Sequence, residues 1–321
     1  MAVEVQQPGL STTVQDLGRP GHYHVGIPPS GALDLMSALA ANLLVGNDDD
    51  AAVLECTFMG PSLRFDEPAV VAVTGGVLRP QVDGDDRPVW ESFAVEAGDV
   101  LDFATLEAGA RTYVGISGGI ATAPKLGSRS TYALGSLGGF EGRPLQEGDV
   151  LPVGEGSGTA GRAIPEELWP QFPDEAEIRV VMGLYDHRLT DAGRETFLGS
   201  TYELTPTSDR VGFRYKGDAL DLVDREQPFG AGSDLSNIVD APYPIGSIQV
   251  PGGTEPIVLH RDAVSGGGYM MIGTVIGPDL DRIAQCQPST PTTFVEVSLD
   301  EALSIRADRR AWEQRLRDAA A

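Results

Sequence analysis

The segments AVVAVTGG (residues 69–76) and LRPQVDG (residues 78–84) decide the fold class. The first is a run of β-branched and small residues, and both end on glycine. That is the pattern of a short strand closed by a turn, not of a helix, whose apolar residues recur every three or four positions. The pattern returns in VLDFATL (100–106), RTYVGISGG (111–119), IRVVMG (178–183), IGSIQVP (245–251), PIVLHRD (256–262) and TTFVEVS (292–298). Short strands at close spacing predict a mainly β protein, with sheets or barrels of largely antiparallel pairs and a few short helices. AGDVLDF (97–103) and EGDVLPV (147–153) echo one another, either as repeated sheet topology or as shared turn chemistry.

Two helices stand out. Leu35, Met36, Leu39, Ala40, Leu43 and Leu44 fall at helical spacing behind Ser30 or Asp34 as N-cap, with Gly46 just past the end. SLDE, from Ser298, fits a capping box and opens a second helix running to near Ala321. Residues 154–177, GEGSGTAGRAIPEELWPQFPDEAE, start Gly-rich and are broken by Pro165, Pro170 and Pro173, which reads as a linker. A length of 321 residues favours two domains, placed at 1–165 and 166–321.

Acidic residues outnumber basic ones 47 to 23, for a formal charge of −24. Such a surface repels phosphates and excludes nucleic acid as a partner. Lys125 and Lys216 are the only lysines. An acidic, lysine-poor shell fits a halophilic source, where molar salt screens the self-repulsion. Cys56 and Cys286 are too few for a disulfide framework and are expected as buried thiols. No leader opens the sequence, and no apolar run approaches the roughly 18 residues of a membrane span, so a cytoplasmic protein without a membrane partner is expected.

Several motifs lack their context. GSGTAG (156–161) matches a dinucleotide fingerprint but leads into RAIPEELWP instead of a helix. GISGG (115–119) matches a nucleophile elbow around Ser117, yet Pro124 and Gly127 break the helix that should follow. His22, His24, His187 and His260 have no zinc-like spacing, so no metal is expected. Neither lysine lies in a Walker loop, nor between methionines as in biotin carriers.

The richest polar stretch is QDLGRPGHYHVGIPPSGALD (15–34), where glycine and proline stiffen a loop carrying Asp16, Arg19, His22, His24, Ser30 and Asp34. Segments 126–149, 207–217 and 246–276 add Arg129, Arg210, Gln249, Asp262 and Tyr269 between glycine turns. Glycine lets backbone N–H groups approach a ligand, and arginine offers a planar fork to carboxylate or phosphate. The alternative is a set of tight hairpins whose Arg and Asp pair with each other, with Asp34 as a helix cap and Asp16 holding Arg19.

QDLGRPG, GIPPSGALD, ANLLVGN, LECTFMGPSLRF, GSRSTY, GGFEGRPLQEGDVL, SDRVGFRYKG, IQVPGGTEPIVLHRD and GGGY follow in an order that resembles the KipA/PxpC family. That family is also called allophanate hydrolase subunit 2 and is similar to the carboxyltransferase region of urea amidolyase. The resemblance implies two cyclophilin-like β-barrel domains in a cytoplasmic subunit of the bacterial 5-oxoprolinase. Such a subunit works with a KipI/PxpB-like and a LamB/YcsF (PxpA)-like subunit, and the complex opens 5-oxoproline to L-glutamate with ATP.

The resemblance leaves two alternatives. One is a carboxyltransferase subunit using carboxybiotin carried by another chain to modify a urea-like amide. The other is a regulator that binds a KipI-like kinase inhibitor. On the 5-oxoprolinase reading ATP is held with the partner subunits and the substrate is a small anionic lactam. Arg129 and Arg210 then bind anions, His24 and Asp262 transfer protons, and Arg19, Ser30, Asp34, Gln249 and Tyr269 line the substrate site. Val264 and Ser265 stand where the family commonly has a pair of threonines.

Overall fold

The computed structural model describes residues 1–172 and 174–321; Pro173, the last of the linker prolines, lies outside the described residues. The protein is mainly β, with four α-helices among the described residues. Its internal contacts divide it into two units.

The first unit comprises Met1–Arg19, Ser30–Phe172 and Arg310–Ala321. Its strands are β1 (Ala2–Gln7), β2 (Ser11–Gln15), β3 (Val53–Thr57), β4 (Ser62–Phe65), β5 (Ala69–Val82), β6 (Asp85–Asp86), β7 (Ser92–Val95), β8 (Val100–Ile116) and β9 (Val150–Pro152). They form one curled nine-stranded sheet, ordered β2-β3-β8-β4-β1-β9, from which β5 branches at β8 and carries β6 and β7. Alternate residues turn inward, so Val3, Val5, Leu54, Cys56, Leu63, Phe65, Val71, Val73 and Val114 share one buried core.

Segments that read as separate short strands are continuous here. β5 and β8 pair antiparallel from Val71↔Ile116 to Val82↔Leu101, with register shifts at Gly75, Val77 and Leu78. Glycine makes a bulge in this ladder instead of a turn. Gly75 holds φ at +83°, and a Cβ on Gly76 would lie 2.9 Å from the Ala108 carbonyl oxygen.

The echoed segments resolve as shared turn chemistry. Asp99 Oδ2 accepts from Glu96 N at 2.8 Å, and Asp149 Oδ2 accepts from Gln146 N at 2.8 Å. In both turns the glycine N–H donates at 2.8 Å to the adjoining strand, Gly98 to Phe65 O and Gly148 to Val5 O.

α1 (Leu35–Leu44) forms where its periodicity places it, and Gly46 follows it at φ +72°. Its Met36, Leu39 and Leu44 pack with Trp90, Ile164, Leu168 and, from the C-terminal helix, Leu316 and Ala320. Residues 154–172 are bound to this unit. Gly158 N donates to Ser117 Oγ at 2.9 Å, Ile164 N to Trp90 O at 2.9 Å, and Trp169 stacks on Trp90 with ring centroids 5.7 Å apart. Neither GSGTAG nor GISGG opens a helix.

The second unit comprises Pro20–Pro29 and the described part of Pro173–Arg309. Its strands are β10 (Ala176–Met182), β11 (Tyr202–Leu204), β12 (Gly212–Lys216), β13 (Asn237–Pro242), β14 (Ser247–Gln249), β15 (Ile257–Leu259), β16 (Gly266–Tyr269), β17 (Met271–Val275) and β18 (Pro291–Glu296). Seven close a barrel, β10-β17-β14-β15-β12-β11-β18, while β13 and β16 pair separately. The seam is the parallel β10–β18 pair, beginning at Ala176↔Thr292. Buried Phe294 stacks on Phe197 at 4.8 Å and meets Tyr202 and Tyr215 edge-on.

Two helices in this unit escape a periodicity reading because they are short and mostly polar. α2 (Asp191–Gly199) buries only Gly193 and Phe197 and is capped by Thr190, whose Oγ1 accepts from Gly193 N at 3.0 Å. α3 (Gly277–Ala284) carries Pro278 in its first turn and holds buried Asp279, which Arg179 grips through Nε at 2.9 Å and Nη2 at 2.5 Å. α4 (Leu299–Ala320) begins with the expected capping box. Glu301 Oε2 accepts from Ser298 N at 2.8 Å and Ser298 Oγ accepts from Glu301 N at 3.2 Å. Among the described residues no helix is long and apolar enough to cross a membrane.

Candidate functional site

In the first unit the polar loop 15–19 is latched by buried Asp16. Its Oδ1 accepts from Gly18 N at 2.8 Å, Ser128 Oγ at 2.6 Å and Ser130 Oγ at 2.5 Å, and its Oδ2 accepts from Arg129 N at 2.5 Å. Asp16 therefore secures the 128–130 loop. The Arg19 side chain, 1% exposed, donates to the backbone oxygens of Ser130 and Lys125 in the same loop. Three of these four bonds make a rigid joint between segments more than a hundred residues apart, and the fourth fixes the loop's own turn at Gly18.

Ser30 is fully buried, holds φ at +53°, and its Oγ has no hydrogen-bond partner among the described residues. A non-glycine residue in this left-handed conformation is strained, and an unsatisfied buried hydroxyl adds to the cost. Asp34 is the cap of α1: Oδ1 accepts from Ser37 N at 3.0 Å and Oδ2 from Ser37 Oγ at 2.6 Å. Arg129 donates from Nε to Thr122 O at 2.9 Å. It lines a hollow of about 360 Å³ together with Asn47, Asp48, Asp50 and Glu155. Three acidic residues against one guanidinium leave that hollow net negative.

Sequence reading passed over a buried acid next to α1. Glu55 Oε2 accepts from Leu33 N at 2.7 Å and Tyr113 OH at 2.9 Å, while Tyr113 OH accepts from Asp34 N at 2.8 Å. Burial, and then the charges of Glu55 and Asp34, push the Tyr113 hydroxyl well above the ordinary tyrosine range. The available signal was a lone glutamate inside the apolar run AAVLECT.

In the second unit Arg210 and Asp262 form a pair, with Nε 2.8 Å from Oδ2. Asp262 N also donates to Arg210 O at 3.0 Å. This is the hairpin pairing that the sequence left open as the alternative to an anion site. Next to Asp262, buried His260 accepts from Arg261 N at Nδ1, 3.0 Å, so its proton sits on Nε2, which faces Leu280 O at 3.2 Å. Its imidazole is spoken for by backbone.

The short turn Tyr23–Val25 places His24 at the surface and Tyr23 half-buried. The Tyr23 hydroxyl is shielded from solvent with no hydrogen-bond partner among the described residues. Burial pushes it above the ordinary tyrosine value, with Arg261 opposing and Asp262 reinforcing. Reading the histidines on either side obscured this tyrosine.

Gln249 and Tyr269 are brought together by Tyr243. The Tyr243 hydroxyl donates to Tyr269 O at 2.5 Å and accepts from Tyr269 N at 2.9 Å, and the Gln249 side chain hydrogen-bonds the same hydroxyl. Burial raises Tyr243 above its ordinary value, and the bond to Tyr269 partly offsets this. Gln249 is buried, whereas Tyr269 is 43% exposed. The glycines of GGGY permit this approach: a Cβ on Gly267 would lie 3.1 Å from the Tyr243 ring.

The first unit thus presents a latched polar loop, and the second a closed barrel and the Gln249–Tyr243–Tyr269 cluster. The carboxyltransferase domain model, subdomains A and B, matches residues 25–296. The chain belongs to that family. A 5-oxoprolinase subunit of Escherichia coli K12 is 34% identical over 319 residues, covering 98% of this chain and 97% of that protein. Urea amidolyase of Saccharomyces cerevisiae is also 34% identical, over 315 residues that span 95% of this chain but 17% of the yeast protein. The crystal structure of K. lactis urea amidolyase superposes with a TM-score of 0.92 at 32% identity, over 98% of this chain and 20% of that one.

Proposed function

We propose that this chain is a subunit of an ATP-dependent 5-oxoprolinase, a hydrolase complex that opens 5-oxoproline to L-glutamate. The observation that supports this reading is the alignment with the E. coli 5-oxoprolinase subunit, which runs through 97% of that protein. A role transfers more directly across a match of that extent than across 17% of a urea amidolyase.

A five-membered lactam is a stable amide with a poor leaving nitrogen. Phosphorylating its carbonyl oxygen with ATP makes the carbon electrophilic enough for water to add; the C–N bond then breaks as the ring nitrogen takes a proton, and a second water releases phosphate from the resulting acyl phosphate to leave glutamate. The lysines of this chain do not fit a phosphate cradle, since Lys125 and Lys216 are both exposed and neither lies in a Walker loop. Nucleotide binding therefore falls to the KipI/PxpB-like and LamB/YcsF (PxpA)-like subunits.

This chain contributes orientation and proton handling. The Gln249 side chain offers an amide and the part-exposed Tyr269 a phenol to the lactam N–H and C=O, with Tyr243 holding Tyr269 in place. Asp262 is engaged by Arg210, which leaves His24, exposed on its turn, as the proton-transfer group with open access.

The TM-score of 0.92 to K. lactis urea amidolyase favours a second reading, transfer of CO₂ from carboxybiotin on another chain to a urea-like amide. Two reconstitutions separate them. Release of ADP and glutamate from 5-oxoproline with the two partner subunits supports the first. Bicarbonate fixation onto urea with a biotinylated carrier and biotin carboxylase, and no lactam opening, overturns it.

A further inference from the structure

Arg188 and Arg225 lie in separate loops of the second unit and converge on one atom. Arg188 Nη1 donates to Asn237 O at 3.3 Å, and Arg225 Nη2 donates to the same oxygen at 3.1 Å and to Leu235 O at 3.0 Å. Two like charges aimed at one carbonyl repel each other unless something negative joins them. Burial lowers the Arg188 guanidinium from its ordinary value, and the charge of Arg225 lowers it further.

Among the described residues neither arginine has a carboxylate within 4.0 Å, although Asp186, close in sequence, is used by Arg194 at 3.2 Å. Scarcity of acids is no explanation in a chain with 47 of them against 23 basic residues. Arg225 Nε is shielded from solvent and has no acceptor among the described residues. A buried donor left unmade is costly, which calls for an acceptor from outside the chain.

The surroundings are those of an organic anion site. The Arg188 guanidinium lies 4.6 Å from the Tyr185 ring centroid, a stack that holds its plane in place. Asn237 pairs across the β13–β16 ladder with Tyr269, whose backbone is held by Tyr243. The converging arginines are thus one strand away from the Gln249–Tyr243–Tyr269 cluster.

We propose that Arg188 and Arg225 form a binding site for the oxyanion of a small molecule, a carboxylate or a phosphate, with Tyr185 orienting Arg188. The site stands whether or not 5-oxoproline is the substrate, and the test separates the two questions. The purified chain is titrated calorimetrically, at fixed ionic strength, with inorganic phosphate and separately with L-5-oxoproline. The same titrations are run on Arg188→Gln, Arg225→Gln, the double variant and Arg64→Ala, a surface control paired with Glu4.

At least one anion should bind, each single variant should weaken it about tenfold or more, and Arg64→Ala should leave it unchanged. Phosphate binding without 5-oxoproline binding supports the oxyanion site and counts against the lactam as its occupant. In unmodified protein, the bound anion should protect Arg188 and Arg225 from phenylglyoxal, read by mass spectrometry, which serves if a variant misfolds. Equal affinity in the double variant, absence of binding by both anions, or no protection of these arginines overturns the site.

Discussion

Arg210 reaches around Asp262 with Nε at 2.8 Å from Oδ2 and Nη2 at 3.4 Å from Oδ1. The carboxylate is 4% exposed, so removing the guanidinium strands a charge in a place where water cannot solvate it. Breaking a buried pair in this way costs about 3–5 kcal/mol, whereas replacing both partners with apolar residues of similar size is often near neutral. Arg210→Ala is predicted to lower the unfolding free energy by about 3 kcal/mol, and Arg210→Met with Asp262→Leu to recover most of it, measured by chemical denaturation. A fully stable Arg210→Ala protein would contradict a stabilising role for this pair.

Asp149 carries the pH dependence of the β9 turn. The Arg143 guanidinium, 2.7 Å and 2.8 Å from its two oxygens, holds its carboxyl below the usual carboxylate range. The folded value lies beneath the unfolded one. The stabilisation is therefore present above about pH 4 and lost as pH falls through the folded value. Asp149→Asn should be destabilised at pH 7 and converge with the parent protein in acid, measured by melting temperature from pH 7 to pH 2. A constant difference across that range contradicts the assignment.

The two thiols differ, although both were expected to be buried. Cys56 is wholly enclosed and burial pushes it up to about 12, while Cys286 is only partly buried. Because the thiolate is the nucleophile, iodoacetamide at pH 8 should label Cys286 in the native protein and reach Cys56 only after denaturation. Native labelling of Cys56 at a comparable rate would be inconsistent with this core.

What the sequence disclosed and what it concealed have physical causes. β10, β14, β15 and β18 were legible because each is a short stretch with β-branched residues between turn residues, and α1 and α4 because periodicity and caps agree. The merging of 69–82 and of 100–116 into single strands was hidden, since a glycine bulge and a glycine turn look alike in sequence. Asp34 as cap and Arg210 with Asp262 as a pair were legible only as alternatives. The convergence of Arg188 and Arg225 on Asn237 depends on loop paths that no local pattern encodes, and Tyr113 reaches Glu55 only through the β3–β8 ladder, where Glu55 pairs with Tyr113.

A net charge of −24 with two lysines predicts dependence on salt. Screening within a Debye length of about 3 Å at 1 M removes most repulsion between exposed carboxylates. The melting temperature should rise steadily from low to molar KCl. A flat or falling profile removes the inference of a halophilic source.

The central claim is that this chain is an obligatory part of a lactam-opening complex. Co-expressing it with a KipI/PxpB-like and a LamB/YcsF-like subunit and following ADP and glutamate from 5-oxoproline tests this most directly. The account predicts ATP-dependent turnover with all three chains and none when this one is left out; undiminished turnover by the other two alone would contradict it.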